Sequence, residues 1–196
     1  IALNVDVSSL DACRDAVKQT IDKFGRLDAV CHFAAIHSTL NWEDVSSEEF
    51  NRVLQVNVVG SFHIAKSAGE WMKENGGGAI VMTSSGSVQA SGVGGGSGQG
   101  GPAYVTSKAA IYGLNRSLAR SLGPYGIRVN TVSPGATDTP MIAEYTNTSR
   151  DSAANRSMLG RIGEPEDIAD VARFLISDKA RYVTGEVISC SGGDSV

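Results

Sequence analysis

The chain has 196 residues, of which 41% are hydrophobic, and a formal net charge of −4 at neutral pH, which together predict one domain with a single core. Acidic and basic residues are interspersed and the apolar runs are short, which argues against a nucleic-acid or a membrane partner. The three cysteines and three histidines lack the spacing of a disulfide framework or a metal site, so we expect reduced thiols, no metal and a cytoplasmic location.

The first half of the chain alternates strand and helix patterns. A short strand is predicted at Ala2–Val5, followed by a helix at Leu10–Phe24 that ends at Gly25. The apolar run Leu27–Ala34 predicts a strand buried on both faces. A capping-box pattern then opens a long helix over Ser46–Glu74.

The second half continues the same alternation. Its predicted elements, in order, are a strand at Ala79–Met82, a helix carrying Tyr104 and Lys108 to Leu122, a strand at Ile127–Val132, an irregular polar flap at Thr139–Ser157, a helix from Glu164 to Ser177 and a strand at Glu186–Cys190. Strands that alternate with helices and are buried on both faces predict an α/β fold, a doubly wound parallel sheet forming one domain over residues 1–196.

Polar or small residues follow several of the predicted strands. They are Asp6, Ala34-Ala35, Ser84-Ser85 and Pro134-Gly135. Ligands of such sheets bind beyond the carboxyl ends of the strands, so we expect these residues to line one crevice.

Tyr104 and Lys108 are four residues apart and therefore share one face of a helix. A free phenol has a pKa of about 10. A nearby ammonium favours the phenolate, which would make the pair suited to proton exchange with an alcohol or carbonyl oxygen. The alternative is a tyrosine ring packed on the helix beside a lysine that extends to water.

This pair and six other short motifs follow one another along the chain. They are Asp6-Val7, Asn57, Thr83-Ser84-Ser85, Tyr104-x-x-x-Lys108, Pro134-Gly135-Ala136-Thr137-Asp138-Thr139, Arg161-Ile162-Gly163-Glu164-Pro165-Glu166-Asp167 and Gly192-Gly193. With them, the chain resembles the short-chain dehydrogenase/reductase family over its whole length. The resemblance implies a Rossmann-like NAD(P)-dependent oxidoreductase that transfers a hydride to or from a small-molecule secondary alcohol or ketone.

The resemblance also implies four catalytic residues. Tyr104 is the general acid/base, and Lys108 lowers its pKa and binds the nicotinamide ribose. Ser85 holds the substrate oxygen, although Ser84 and Ser87 compete for that role. Asn57 holds a water that relays protons to Lys108, and its alternative is a side chain bonded only to backbone.

Cofactor binding by NAD or NADP is implied at a second set of positions. These are Asp6, Val7, Ala34, Ala35, Tyr104, Lys108, Pro134, Gly135, Thr137 and Thr139. Turn chemistry after Pro134-Gly135 is the alternative for the two threonines. For Asp6 the alternative is a plain helix-cap residue.

The chain departs from the family pattern in its first part. It begins in a strand-like run without a Met, so we expect an N-terminally incomplete domain that lacks the first strand, the glycine-rich turn and the second strand. His32 and Phe33 replace two asparagines of the family motif, which we interpret as a structural variant.

The glycine-rich stretch Gly92–Gly101 lengthens the spacing between Ser85 and Tyr104. Within it, Gly96–Gly101 fits a dinucleotide-binding fingerprint, but no strand directly precedes it and no acidic residue follows at the required distance. We therefore interpret the stretch as a flexible loop at the substrate mouth.

Two further expectations concern the surroundings of the site. Met141, Tyr145 and Met158 are candidates to cover the substrate. The resemblance implies a homo-oligomer, a dimer or tetramer, with Val58, Phe62 and Leu114 as candidate contacts and ordinary core as the alternative. A non-catalytic, dehydrogenase-like scaffold or binding protein remains the alternative to the enzyme.

Overall fold

The computed structural model describes residues 1–89, 100–142 and 147–194. The helices are α1 (Leu10–Phe24), α2 (Ser47–Leu54), α3 (Gly60–Glu74), α4 (Pro102–Leu122), α5 (Asn147–Arg156) and α6 (Pro165–Ile176). The strands are β1 (Ala29–Cys31), β2 (Gly78–Thr83), β3 (Ile127–Pro134) and β4 (Val187–Cys190). A π-helical turn at Gln55–Val59 joins α2 to α3.

The four strands form one parallel sheet in the order β1-β2-β3-β4. Alternate side chains of β2 face opposite sides of this sheet. Ile80 and Met82 pack with residues of α1, α3 and α4, whereas Val81 packs with α6. The predicted α/β fold, a parallel sheet covered by helices on both faces, is therefore confirmed.

The ends of α1 form as the sequence predicts. Ser9 Oγ accepts a hydrogen bond from the backbone of Ala12 at 3.3 Å. Gly25 has a φ of 75°, a conformation that glycine adopts readily, and its N–H donates to Ile21 O at 2.7 Å. Both caps satisfy backbone groups that the helix itself leaves unpaired.

The predicted strand at Ala2–Val5 is wrong, since these residues belong to no strand. A strand is defined by its hydrogen-bonded neighbour, and β1, at this edge of the described sheet, pairs with β2 alone. The strand predicted at Leu27–Ala34 is shorter, at Ala29–Cys31, although the backbone of His32 still donates to Val81 O at 2.8 Å.

The predicted long helix is continuous but not regular. Its π turn at Gln55–Val59 inserts an extra residue between α2 and α3 and contains Asn57. Such single turns are frequent at functional sites, but the sequence gives no periodic signal for them. The position of Asn57 in this turn directs its side chain toward Ile36 and α4.

Within the ranges that the structure describes, no helix is long and apolar enough to cross a membrane. The same ranges contain no cluster of three or more His, Cys, Asp or Glu side chains that could hold a metal ion.

Candidate active site

A cavity of about 560 Å³ opens at the carboxyl ends of β2 and β3. One side is lined by the turn that follows β2, including Ser85 and Ser87, and by Tyr104 and Lys108 of α4. The end of β3 and the segment after it line it too; the lining residues there are Pro134, Gly135, Ala136, Thr137, Thr139, Pro140, Met141 and Ile142. A crevice is thus present at the strand ends, and it is lined by Ala35, Ser84-Ser85 and Pro134-Gly135 but not by Asp6 or Ala34.

Tyr104 and Lys108 lie one turn apart on α4, and both are buried. Lys108 Nζ lies 5.7 Å from the centroid of the Tyr104 ring and donates a hydrogen bond to Thr83 O at 3.1 Å. The His37 ring packs edge-on against Tyr104, with 4.5 Å between the ring centroids. These contacts fix both side chains at the wall of the cavity, so Lys108 does not extend into bulk water.

Burial lowers the pKa of Lys108 to about 8. Desolvation disfavours the charged form, and no carboxylate in the described part of the chain offsets it. The side chain is therefore still an ammonium at neutral pH. It has three N–H donors, of which Thr83 O takes one. The others are available to a hydroxylated or anionic ligand.

The structure separates the three serines that follow β2. Ser84 is buried, and its Oγ donates to Lys108 O at 2.8 Å, which commits this hydroxyl to α4. All three serines line the cavity. Ser85 Oγ accepts hydrogen bonds from Ser87 N at 3.2 Å and from Ser87 Oγ at 2.9 Å. Ser84 is thus the least suited of the three to contact a substrate.

Asn57 is buried beneath the cavity and does not line it. Its Oδ1 accepts from Ile36 N at 2.8 Å, and its Nδ2 donates to Ile36 O at 2.9 Å and to Ser107 Oγ at 3.0 Å. Its backbone carbonyl accepts from Ser61 Oγ at 2.7 Å. These contacts give the side chain a structural role, and the water-relay role stays a prediction.

Of the residues predicted to bind cofactor, four at the end of β3 and just after it line the cavity, and so does Ala35. Thr137 Oγ1 donates to Gly135 O at 3.0 Å, and Thr139 Oγ1 donates to Thr137 O at 3.3 Å. Both threonine hydroxyls therefore make turn contacts, as the alternative interpretation anticipates. A β carbon at Gly135 would lie 2.8 Å from Ser191 Cα, so this close approach requires glycine.

Asp6, Val7 and Ala34 do not line the cavity. Asp6 Oδ1 accepts from Ser8 Oγ at 2.7 Å and from Ser8 N at 2.9 Å, and these hydrogen bonds lower the pKa of Asp6. Val7 packs against Gly60, where a β carbon would approach its side chain to 2.8 Å. Asp6 therefore stabilises the turn before α1, whose N-cap is Ser9 and not Asp6. Cofactor contact by Asp6, Val7 and Ala34 stays a prediction.

The structure brings His37 and Phe33 to the cavity, neither of which was a predicted site residue. Burial and the charge of Lys108 lower the pKa of His37, which keeps its imidazole neutral. His32 is also buried, its pKa is lowered to about 4 by burial, and its Nε2 has no hydrogen-bond partner among the described residues. Only the departure from the Asn-Asn motif marks this segment in the sequence.

Of the residues predicted to cover the substrate, one lines the cavity, and the covering role itself stays a prediction. Met141 lines the cavity, but Met158 is 74% exposed and does not line it. Tyr145 lies outside the described residues, as does most of Gly92–Gly101. The end of that stretch is described, and Gly101 N donates to Ser38 O at 2.7 Å as the chain enters α4.

Comparisons with known proteins identify relatives of this chain. The sequence profile of a family described as enoyl-(acyl carrier protein) reductase matches residues 1–195. A 3alpha-hydroxysteroid dehydrogenase of Mediterraneibacter gnavus is 42% identical over 176 residues, which cover 90% of this chain and 68% of the relative. A 3-oxoacyl-(acyl carrier protein) reductase of Thermotoga maritima is 34% identical over 189 residues, covering 96% of this chain and 74% of the relative.

The fold is also similar to that of a solved structure, a doubly substituted variant of a Serratia marcescens short-chain dehydrogenase/reductase. The two share 32% sequence identity and superimpose with a TM-score of 0.90. The match covers 100% of this chain and 77% of that chain.

Proposed function

Because the chain belongs to the short-chain dehydrogenase/reductase family, we propose that Tyr104 exchanges a proton with the oxygen of a secondary alcohol or ketone during hydride transfer. The chain is an oxidoreductase that acts on CH–OH donors and uses NAD or NADP. The observation that carries the proposal is the buried Tyr104–Lys108 pair in the wall of a cavity at the strand ends.

The residues at this cavity fit the nicotinamide half of such a cofactor. Lys108 is a buried cation whose pKa is lowered by desolvation alone, and it has N–H donors that its contact with Thr83 O does not use. Ribose hydroxyls are suitable acceptors for these donors. Pro134, Gly135 and Thr137 would hold the carboxamide side of the nicotinamide, whose ring would exchange a hydride with the substrate carbon.

The chain's own groups would then handle the proton and the charge on the substrate oxygen. In the direction of reduction, the Tyr104 phenol donates its proton to the carbonyl oxygen as an alcohol forms. Lys108, still charged at neutral pH, stabilises the phenolate that remains. Ser85 donates a hydrogen bond to the same oxygen, where negative charge develops in the transition state.

Two substrate classes deserve a direct test, because the relatives named above differ in what their names say they act on. One is a steroid alcohol and the other a 3-oxoacyl thioester. The cavity wall includes Phe33, Met141 and Ile142, which suit an apolar substrate body. Both classes place a ketone or secondary alcohol on such a body.

The experiment is a turnover assay of the purified full-length protein with NADH and NADPH and a panel of a 3-oxosteroid, a 3-oxoacyl thioester and a simple cyclic ketone. We expect oxidation of at least one reduced cofactor and loss of the catalysed rate in Tyr104→Phe. The variant should retain cofactor binding, since the phenyl ring keeps the packing against His37. Unchanged turnover in Tyr104→Phe would overturn the role of Tyr104, and binding without turnover in the parent would favour a scaffold.

We also propose that the protein is a homo-oligomer. Phe62 is 41% exposed on α3, a larger apolar exposure than that of Val58 and Leu114, which are partly buried. A second copy that covers this side chain would remove apolar area from water. Light scattering of the parent and of Phe62→Glu tests this; we expect a dimer or tetramer that dissociates in the variant.

A further inference from the structure

The turn after β2 holds two serine hydroxyls against each other. Ser85 precedes the short helical turn at Gly86–Val88 and accepts hydrogen bonds from both the backbone N–H and the side-chain hydroxyl of Ser87. The turn is braced on its far side, where Gln89 Nε2 donates to the hydroxyl of Tyr112 on α4 at 2.6 Å. The two serines are therefore held in a defined geometry at the cavity.

The hydrogen bonds that the Ser85 hydroxyl already makes determine which further bond it can form. A hydroxyl has one O–H donor and two lone pairs. Both lone pairs of Ser85 Oγ are taken, one by Ser87 N and one by Ser87 Oγ. Its O–H has no acceptor among the described residues, and the side chain lines the same cavity as Tyr104. The O–H of Ser85 is thus directed outward, as a donor.

The same count excludes Ser87 as the donor in this arrangement. Its O–H is used in the hydrogen bond to Ser85, so it has no proton left for a substrate oxygen. Ser84 is excluded as well, because its hydroxyl donates to Lys108 O. Of the three serines, Ser85 alone has a proton to offer.

We propose that Ser87 is a positioning residue that makes Ser85 a fixed hydrogen-bond donor to the reacting oxygen of the substrate. This inference rests on the proposed function. By occupying a lone pair of Ser85, the Ser87 hydroxyl prevents the Ser85 O–H from rotating away from the cavity. Accepting hydrogen bonds also polarises the Ser85 O–H and strengthens its own donation. Ser87 acts through Ser85 and does not itself contact the substrate.

Substitution of Ser85 should therefore lower kcat more than substitution of Ser87. Removal of a donor to a developing oxyanion lowers kcat by about 100-fold or more, which is the expectation for Ser85→Ala. Ser87→Ala leaves the donor in place but frees its rotation, and we expect kcat to fall by about 10-fold, the value of one hydrogen bond. KM for the ketone and the affinity for cofactor should change little. Ser87→Thr, which keeps the hydroxyl, should restore kcat.

A spectroscopic measurement separates this role from a structural one. In a Tyr104→Phe background, the ketone that the parent reduces fastest is bound with reduced cofactor, and the infrared stretching frequency of its carbonyl is recorded. We expect the bound carbonyl to absorb at lower frequency than in water. The shift should be smaller when Ser87→Ala is added, smaller still with Ser85→Ala, and restored with Ser87→Thr. Ser121→Ala on the exposed side of α4 is the matched control.

Each remaining outcome contradicts the inference. If Ser87→Ala retains both the kcat and the carbonyl shift of the parent, Ser87 does not position Ser85. If Ser87→Ala lowers kcat and the carbonyl frequency shift as much as Ser85→Ala does, Ser87 is itself the donor. Absence of any turnover in the parent overturns the proposed function together with this inference, whereas turnover with an unaffected Ser87→Ala variant overturns the inference alone.

Discussion

Asn57 Nδ2 donates a hydrogen bond to Ser107 Oγ across 3.0 Å, which ties the π turn between α2 and α3 to α4, the helix that carries Tyr104. Ser107 Oγ in turn donates to Tyr104 O at 2.7 Å. The same Asn57 side chain makes two hydrogen bonds with the backbone of Ile36, just beyond β1. One buried amide therefore fixes the relative positions of three segments around the cavity.

Replacement of the Asn57 amide should lower the free energy of unfolding. In Asn57→Leu the N–H and C=O of Ile36 lose their side-chain partner, and each unpaired buried group costs about 1–3 kcal/mol. We expect the free energy of unfolding to fall by about 3 kcal/mol in urea titrations. A double-mutant cycle with Ser107→Ala should give a coupling energy of about 1 kcal/mol.

Asn51→Ala on the exposed face of α2 is the control for that cycle, with a change within about 0.5 kcal/mol. Additive effects of Asn57→Leu and Ser107→Ala would show that the hydrogen bond between them is of no consequence.

The burial of Lys108 should make the protein less stable at neutral pH than at alkaline pH. Its pKa is about 8 in the folded chain and about 10.4 in an unfolded one. Between these values the unfolded chain binds more protons, so stability rises with pH, and the full penalty applies below about pH 8. Lys108→Met removes the charge, and we expect its Tm at pH 7 to exceed that of the parent by about 5 °C, with loss of turnover.

The pH dependence of Tm shows whether Lys108→Met stabilises the protein by removing a buried charge or by packing better than lysine. The Tm advantage of Lys108→Met should shrink as the pH is raised from 7 to 10, because the parent then loses its buried charge. The exposed Lys23→Met is the matched control, in which no such advantage is expected. A constant difference between the Lys108→Met and parent curves would mean that the lysine is not titrating in this range.

The sequence predicts those elements that are determined by residues close together in the chain. Gly25 marks the end of α1, and the spacing of Tyr104 and Lys108 predicts the paired side chains on α4; the structure has both. The π turn at Gln55–Val59 has no such signal, since its reason is the contact of Asn57 with Ile36 and Ser107.

Contacts between distant segments also decide which serine is available. The sequence leaves Ser84, Ser85 and Ser87 as competitors, because strand alternation alone cannot show that Ser84 bonds to the backbone of α4. The same limit applies to Ala2–Val5, which has the composition of a strand but no neighbour to pair with among the described strands. Tertiary partners, rather than propensity, settle each of these cases.

Gly101 is required where the chain enters α4. Its backbone crosses the segment that follows β1, and a β carbon there would lie 1.8 Å from Leu40 O. Gly101→Ala must therefore displace the first turn of α4, which carries Tyr104. We expect a loss of about 1–3 kcal/mol in unfolding free energy, the range for forced overpacking, and a lower kcat.

Gly113 provides the opposite case on the same helix. A β carbon there meets no atom within 4 Å, so Gly113→Ala should stabilise the protein by about 0.5–1 kcal/mol without affecting turnover. Equal tolerance of both substitutions would show that the contact between Gly101 and Leu40 is not maintained in solution.

Asp167 does not line the cavity but stabilises a segment at its edge. Its carboxylate accepts two hydrogen bonds from the Arg161 guanidinium, at 2.7 and 2.9 Å, and one from the backbone of Glu164 at 2.7 Å. These bonds, that of Arg161 first, lower the pKa of Asp167 to about 2. They fix the start of α6 and with it Gly163, which forms a parallel bridge with Thr137 at the cavity edge.

Asp167→Asn should therefore weaken both stability and cofactor binding. The carboxylate is ionised in the folded chain well below the pKa of an unfolded aspartate, so its contribution is complete above about pH 4 and is lost as the pH falls toward 2. We expect the midpoint of urea unfolding of Asp167→Asn to lie below that of the parent at pH 7, and the difference to narrow at pH 3. The dissociation constant for NADH or NADPH should rise, because Thr137 loses its support.

Asp170→Asn is the matched control. Asp170 lies on the same helix and pairs with Arg173 at 2.9 Å, but both side chains are exposed and neither reaches Gly163. Exposed pairs of this kind contribute little, so this variant should keep the parent's unfolding midpoint and cofactor affinity. If both substitutions change cofactor affinity equally, the effect comes from net charge and not from the Arg161–Asp167 contact. If Asp167→Asn lowers stability without changing affinity, the Thr137–Gly163 bridge does not shape the binding site.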